Sequence, residues 1–282
     1  MMKKIVLKNK QKNIILCCVS IVVACIMLFP IYWIIVSSFK TNAEIFASPP
    51  TFIPKDFTLS SYTDQFTGKS SILVTLANSC KVAFTSMVLA CILAIPAAYG
   101  LARFRMRGKK VFILIFLVTQ MLPVALLLTP MFLVYKNLHL LDTLWAPILS
   151  DATISVPFVV LILRTYFLAL PKELEDSAKI DGCNTLTAFT KIMLPISYPG
   201  LIMTGAFSFL YAWGDLAYSL TFLTSPEKRT MTASIYNFMG KYGIQWNSIM
   251  AYGVLLVLPV VLIFIFLQKY IIGGLTNGAV KG

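Results

Sequence analysis

Pro171-Lys172-Glu173-Leu174-Glu175-Asp176-Ser177-Ala178-Lys179-Ile180-Asp181-Gly182 is a charged island in an oily chain, holding four of its eleven acidic residues. Pro171 suits a helix start, because the N–H it lacks would be unpaired in a first turn anyway. Glu173, Glu175 and Asp176 crowd the first turns, where the helix dipole favours negative charge. Asp181-Gly182 reads as the stop, since glycine reaches the left-handed backbone without a side-chain clash. A short, capped, charged helix needs water around it. Taken alone, it is equally an ordinary solvated loop helix or a knob that another protein grips.

Working outward, the flanks decide the fold. The 282-residue chain is 58% apolar and only 12% charged, about half the charged fraction usual in soluble domains. Several apolar runs reach the roughly 20 residues that cross a bilayer. Six spans are expected, at about 14–39, 73–102, 111–135, 144–168, 201–223 and 246–269. The fold class is therefore an all-α, polytopic integral membrane helix bundle, forming one transmembrane domain over residues 1–282. Residues 169–199 form a loop between the fourth and fifth spans. Within that loop Leu186, Phe189 and Ile192 or Met193 recur at helical spacing and predict an amphipathic second helix. Pro30 and Pro96 predict bends, Gln120, Pro123 and Pro130 interrupt the third span, and the fourth carries Pro147 and Pro157, all of which membrane helices tolerate. Small residues from Ala77 to Ala98 predict close helix–helix packing in the second span. A short interfacial helix is expected at 59–66.

Charge sets the orientation. Lys3, Lys4, Lys8, Lys10 and Lys12 precede the first span, and Arg103, Arg105, Arg107, Lys109 and Lys110 follow the second. Short basic loops face the cytoplasm, so both termini and the 169–199 loop are expected there, with Lys269 and Lys281 at the far end. The first apolar run is too long for the core of a signal peptide. The net charge of +13 is spread over span ends rather than gathered on a soluble module, so no nucleic-acid partner is expected. Cys17, Cys18, Cys25, Cys80, Cys91 and Cys183 lack metal-ligand spacing, and the single His139 builds no zinc site. No metal and no directly bound cofactor are expected.

Few polar residues interrupt the spans. Gln120 is either a pathway residue or one partner of an interhelical hydrogen bond. Asp151 lies about two turns inside the fourth span, near the outer headgroups or facing water, and an ionisable residue there is a functional candidate. Trp213-Gly214-Asp215 falls inside the fifth span. Gly214 permits a close approach or an unwound turn, and Asp215 must be paired or face a pathway, because an isolated charge in hydrocarbon is costly.

From Pro171 to Pro199 the chain resembles the cytoplasmic coupling loop, the Glu-Ala-Ala loop, of ATP-binding-cassette importer permeases. Asp176-Ser177-Ala178 stands at Glu-Ala-Ala, and Asp181-Gly182 at the Asp-Gly pair that follows. Phe189, Ile192, Leu194-Pro195 and Pro199 continue the pattern. The resemblance covers nearly the whole chain, fits best the second, maltose-type permease of the carbohydrate importers, and includes the end Gly273 to Gly282. It implies a multi-pass subunit of the bacterial inner membrane that is not itself an enzyme. The partners it implies are a second permease, two cytosolic ATPase subunits that hold ATP and Mg, an extracytoplasmic sugar-binding protein and a carbohydrate substrate.

It further implies that Glu173, Glu175, Asp176, Ser177, Ala178, Asp181 and Gly182 couple to the ATPases. Trp213, Gly214, Asp215, Gln120 and Asp151 would then be pathway or gating positions, with gating or helix locking ahead of direct sugar contact at Asp215. In such pairs the partner permease is expected to supply most of the substrate site. Asp176 is shorter than the family's glutamate and Ser177 replaces its alanine, so the docking contact is expected to shift rather than vanish. The chain carries no Walker phosphate loop. Two other readings stay open: a stand-alone, ion-coupled secondary transporter, or an importer permease for a polyol phosphate such as glycerol phosphate.

Overall fold

The computed structural model describes the backbone of residues 2–66, 71–240 and 243–279 and the side chains of 12–66, 71–240 and 243–268. The side chains of Lys3, Lys4, Lys8, Lys10 and Lys269, as well as Tyr242 and Lys281, lie outside the described residues. Among the described residues the longer helices are α1 (Met2–Ser38), α2 (Ile72–Arg103), α3 (Lys109–Met121), α4 (Val124–Asn137), α5 (Trp145–Ala169), α6 (Glu173–Ile180) and α7 (Tyr198–Trp213), with a short α8 (Ala217–Phe222) and α9 (Trp246–Ala279) after them. Within the described residues, four helices are long and apolar enough to cross a membrane alone, at Lys12–Ser38, Ile72–Arg103, Trp145–Ala169 and Trp246–Gln268. Two bent pairs, Lys109–Met121 with Val124–Asn137 and Thr185–Ile196 with Tyr198–Trp213, bring the number to as many as six when each pair is counted as one span.

The chain divides into two compact units. One comprises Met1–Gln65 and Asn237–Val257. After α1 its loop is knotted around Glu44, whose carboxylate accepts from Thr51 Oγ1 (2.6 Å), the Lys55 amide (2.9 Å) and the Asp56 amide (3.3 Å). These donors hold the Glu44 carboxyl below its ordinary pKa. The expected interfacial helix appears as Ser60–Thr63 followed by a 3-10 turn at Asp64–Phe66. Gln65 ties that turn to the start of α9 by donating to the Ser248 carbonyl (3.1 Å).

The other unit comprises Phe66–Tyr236 and Leu258–Gly282 and holds the candidate sites. Its centre is α2 against α5. Ala94 and Ala98 of α2 are fully buried and meet Val159, Val160, Leu163 and Phe167 of α5. Lipid is as apolar as leucine, so small residues that let backbones approach supply the packing. Ser86 Oγ reinforces the contact by donating to the Ile148 carbonyl (3.1 Å). α7 closes on α5 at Gly200, where a Cβ would lie 2.9 Å from the Tyr166 ring, so a side chain there would force the helices apart.

Two expected spans are broken more sharply than the sequence suggested. The 111–135 run is α3 and α4, bent by 99° at Leu122-Pro123. Leu122 precedes a proline and is extended (ψ 124°), as the clash with the proline ring requires. The 201–223 run is not one helix either. α7 ends at Trp213, and α8 restarts at Ala217. Upstream, Thr185–Ile196 meets α7 at 76°.

Candidate functional site

The charged island folds as α6, beginning at Glu173, two residues later than Pro171 suggested. α5 ends at Ala169 because Leu170, ahead of Pro171, is extended (ψ 142°), and Lys172 becomes the cap of α6. The C-terminus closes as a Schellman turn. The Gly182 amide donates to the Lys179 carbonyl (3.0 Å) and the Cys183 amide to the Ala178 carbonyl (2.9 Å). Gly182 has φ +83°, a conformation that L side chains resist, with open space around its Cα.

α6 has two faces, and the seven expected coupling residues divide between them. Glu173, Asp176, Ser177, Asp181 and Gly182 are exposed. Asp176 has only a long contact to Lys179 (3.5 Å) on the same surface. Ile180 adds an apolar side chain that is 87% exposed. Glu175 and Ala178 point the other way, at the i, i+3 spacing of neighbours on one helix face. Ala178 is buried, and Leu174 packs against the core cluster that includes Tyr99 and Phe167. The Glu175 Oε1 lies 2.8 Å from Arg103 Nε. Glu175 is thus engaged within the chain itself, and Arg103, counted among the basic residues that follow the second span, turns inward.

The amphipathic half of the loop is irregular: a helical turn at Thr185–Ala188, a π-helical turn at Phe189–Met193 and a last turn at Leu194–Ile196. The π turn shifts the register, so Ala188 and Met193 are buried while Leu186 is 70% exposed. Leu186, expected on the packed face, faces outward instead.

Around the unwound link between α7 and α8, Asp215 caps α8. Its Oδ1 accepts from the Tyr218 amide (3.1 Å) and its Oδ2 from the Ser219 amide (2.8 Å). These are donors that a helix start leaves unpaired. Thr232 Oγ1 donates to the Asp215 carbonyl, joining the link to the 230–236 segment. Trp213 is buried and stacks on Phe209 at 5.8 Å. Gly214 is an ordinary right-handed residue at the end of α7, so no left-handed turn requires it.

Asp151 is fully buried, and neither carboxyl oxygen has a hydrogen-bond partner among the described residues. Asp215 is the carboxylate within its electrostatic reach. One turn along α5, Ser155 lines a cavity of about 360 Å³ together with Gln120, Phe158, Phe207, Ser208 and Tyr211. The Ser155 and Ser208 hydroxyls are buried and likewise unpartnered among the described residues. Gln120 Nε2 donates to the Ile154 carbonyl (2.9 Å), an interhelical hydrogen bond at the cavity edge. Phe158 and Phe207 meet edge to face at 5.8 Å. Sequence reading missed Ser155, Phe158, Phe207, Ser208 and Tyr211. The i, i+4, i+7 spacing of Asp151, Ser155 and Phe158 was the available signal.

Residues 90–276 match the family described as binding-protein-dependent transport system inner membrane component. The diacetylchitobiose uptake system permease protein DasC of Streptomyces coelicolor is 32% identical over 256 residues, covering 91% of this chain and 92% of that protein. The sulfoquinovosyl glycerol transport system permease protein SmoH of Agrobacterium fabrum is 33% identical, covering 90% and 89%. Among solved structures, a bacterial transporter involved in importing the acidic polysaccharide alginate superposes with a TM-score of 0.77 at 22% identity, covering 93% of this chain and 97% of that one. At that identity the likeness speaks for the fold.

Proposed function

This chain belongs to the inner membrane components of binding-protein-dependent transport systems, and on that premise we propose that it is the permease through which an ATP-driven importer passes an uncharged carbohydrate. Family members are multi-pass membrane subunits that work in a permease pair with separate ATPase subunits and an extracytoplasmic binding protein. They do not hydrolyse ATP themselves. The observation that carries the sugar reading is the cavity beside Asp151. Its aromatic walls suit the apolar C–H face of a sugar ring, and its hydroxyls and amide suit sugar hydroxyls. Its size falls within the roughly 300–1,000 Å³ typical of small-molecule sites.

The lining favours a neutral sugar over a polyol phosphate. Recognition of a phosphate calls for arginine or lysine donors, whereas the described lining residues are uncharged. The name of DasC points to a neutral disaccharide substrate. The chain takes the place of the second subunit of a maltose-type pair, with both termini in the cytoplasm. The cavity gives it sugar contacts of its own in addition to those of its partner.

Glu173, Asp176, Ser177, Asp181 and Gly182 form the face gripped by the ATPase subunits. Asp215 locks the α7–α8 link that changes as the pathway alternates between two global states. The test is Ser208→Trp, which fills the cavity. Uptake by the reconstituted transporter of a panel of labelled neutral disaccharides is expected to fall at least about tenfold, a loss of about 1.4 kcal/mol of transition-state stabilisation, while recovery of the ATPase subunits is unchanged. Undiminished uptake by that variant overturns the cavity as the sugar path.

A further inference from the structure

We infer that the Arg103–Glu175 ion pair is the joint that makes α2 follow α6, so that motion imposed on the coupling helix reaches the pathway helices. The inference rests on the importer reading above and names positioning residues within it.

Arg103 occupies the last turn of α2, where a cation complements the helix dipole. Its guanidinium holds three elements at once. Nε faces Glu175 Oε1 of α6 at 2.8 Å, and Nη2 donates to the Leu170 carbonyl at the end of α5 at 3.0 Å. That carbonyl is one of those a helix terminus leaves unpaired. Tyr99, one turn back on α2, lies against the same carboxylate and packs on Phe189 (4.5 Å) and Phe167 (5.6 Å). The pair is therefore roofed by aromatic rings. Only 4% of the Arg103 side chain and 13% of the Glu175 side chain are exposed.

Without this joint, α6 would be tied to the bundle through its covalent links to α5 and the irregular 183–197 segment, together with the apolar contacts of Leu174 and Ala178. Covalent links three residues long transmit a pull but not a rotation, because their backbone torsions are free to absorb it. The 185–196 segment contains a π turn, a local weak point in helical register. A buried charge pair behaves differently. Separating its members exposes each to a low-dielectric surrounding without a counterion, which costs far more than a loop rearrangement. Arg103 Nε and Glu175 Oε1 meet as close charges without an aligned hydrogen bond, so the pair fixes distance, while the Nη2 bond to the Leu170 carbonyl fixes the guanidinium's direction. α2 then carries the motion to α5, packed against it through Val159, Val160 and Leu163, and α5 is the helix that bears Asp151 and Ser155.

The test uses the complete transporter in proteoliposomes, with both permeases, both ATPase subunits and the binding protein. A cysteine is placed at Ser208, and native cysteines are replaced by serine. A membrane-impermeant maleimide then reports access to the cavity without nucleotide and after trapping with ATP and vanadate. In the parent complex the labelling rate is expected to differ about tenfold or more between the two states, a coupling of about 1.4 kcal/mol. Arg103→Gln and Glu175→Gln should still bind and hydrolyse ATP, yet show a difference below about twofold. The swap Arg103→Glu with Glu175→Arg should recover much of the response, reduced by the acid now placed at a helix C-terminus.

A full nucleotide response in either single variant overturns the joint. If neither single variant assembles, the swap decides: a recovered response supports the joint, and an assembled swap without one overturns it. Absence of any nucleotide response in the parent complex strikes instead at the importer reading on which the joint depends.

Discussion

An ion pair lies beyond each end of α5, and the two differ in nearly everything but their chemistry. At its C-terminal end Arg103 and Glu175 are almost fully covered. At its N-terminal end, some 25 residues or about 37 Å away, Asp142 faces Lys228 at 2.9 Å with 26% and 45% of their side chains exposed. Both pairs join segments distant in sequence. A covered pair resists separation because each member would be left alone in a poor solvent, whereas an exposed one exchanges its partner for water and counterions. The first suits a joint that must not slip. The second suits a clasp whose strength comes from the other bonds around it.

Breaking the covered pair from one side should produce the largest effect. Glu175→Ala leaves the Arg103 guanidinium buried with the Leu170 carbonyl alone. A loss of about 3–5 kcal/mol is expected for removing one partner of a buried pair. It would be read as a large fall in the unfolding midpoint of the detergent-purified permease at fixed scan rate. Glu175→Ala together with Arg103→Met should lose much less, because nothing charged is stranded. A double variant as unstable as the single would mean that the carboxylate, not the pair, matters.

The clasp at the other end is held mainly by Asp142 acting as an acceptor. Its carboxylate takes the Thr224 amide (3.0 Å), the Ser225 amide (2.9 Å) and Ser225 Oγ (2.6 Å), besides Lys228. Burial works against the charged form, but these donors and the lysine outweigh it and hold the carboxyl well below the usual range. The sign follows from that depression. The stabilisation is complete above the ordinary carboxylate pKa and is lost only as pH falls through the lower folded value. Asp142→Ala should cost about 1–3 kcal/mol by leaving donors unpaired. Proteolysis of the 224–230 segment is expected to stay flat from pH 8 to about pH 5 in the parent chain, and to be faster at every pH in the variant. Faster cleavage already at pH 6 in the parent would contradict the depressed carboxyl.

Next in size is Gly182→Ala, which asks a side chain to sit at φ +83°. About 1–2 kcal/mol is expected from the left-handed conformation alone, since no neighbour obstructs the added carbon. If the strain is relieved by unwinding the Schellman turn, recovery of the ATPase subunits should fall along with stability. Gly182→Trp should deepen the loss of ATPase recovery by adding bulk to the gripped face. Normal transport by the tryptophan variant would remove Gly182 from that role.

These comparisons also explain what the sequence could and could not reveal. The spans were legible because covering backbone polar groups in lipid leaves helices as the solution, and apolar length is written directly in the residues. The left-handed stop at Gly182 was legible for a local reason, since a short-range turn is decided by the residues in it. The inward turn of Glu175 was not. All three acids of α6 look alike in sequence, and their division depends on an arginine 72 positions earlier that arrives through the α2–α5 packing. The cavity was hidden for the same reason. Ser155 and Ser208 are unremarkable hydroxyls in apolar runs until α5 and α7 bring them to one wall. The bends at Pro123 and at 214–216 lay between. Proline and Gly-Asp chemistry marked the places, but neither the 99° angle at Pro123 nor the tie of Asp215 to Thr232 is written in the local residues.

The smallest expected effect separates the two ends most cleanly. Lys228→Met removes the cation of the clasp but leaves Asp142 its amide and hydroxyl donors from Thr224 and Ser225. The lysine is nearly half exposed, so its Coulomb attraction is screened by water and salt, and exposed pairs are worth about 0–1 kcal/mol. Its ammonium also donates to the Asp142 carbonyl at 2.7 Å, a contact water replaces at little cost. The unfolding midpoint should therefore move slightly at low ionic strength and not measurably at about 0.5 M salt, where the screening length is well below 10 Å. Arg103→Gln at the covered end should show the opposite pattern, a large loss that salt leaves almost untouched because ions do not reach the pair. A salt-insensitive loss at Lys228 would place that pair in a drier setting than its exposure indicates, and the contrast between the two ends of α5 would then rest on geometry rather than solvent.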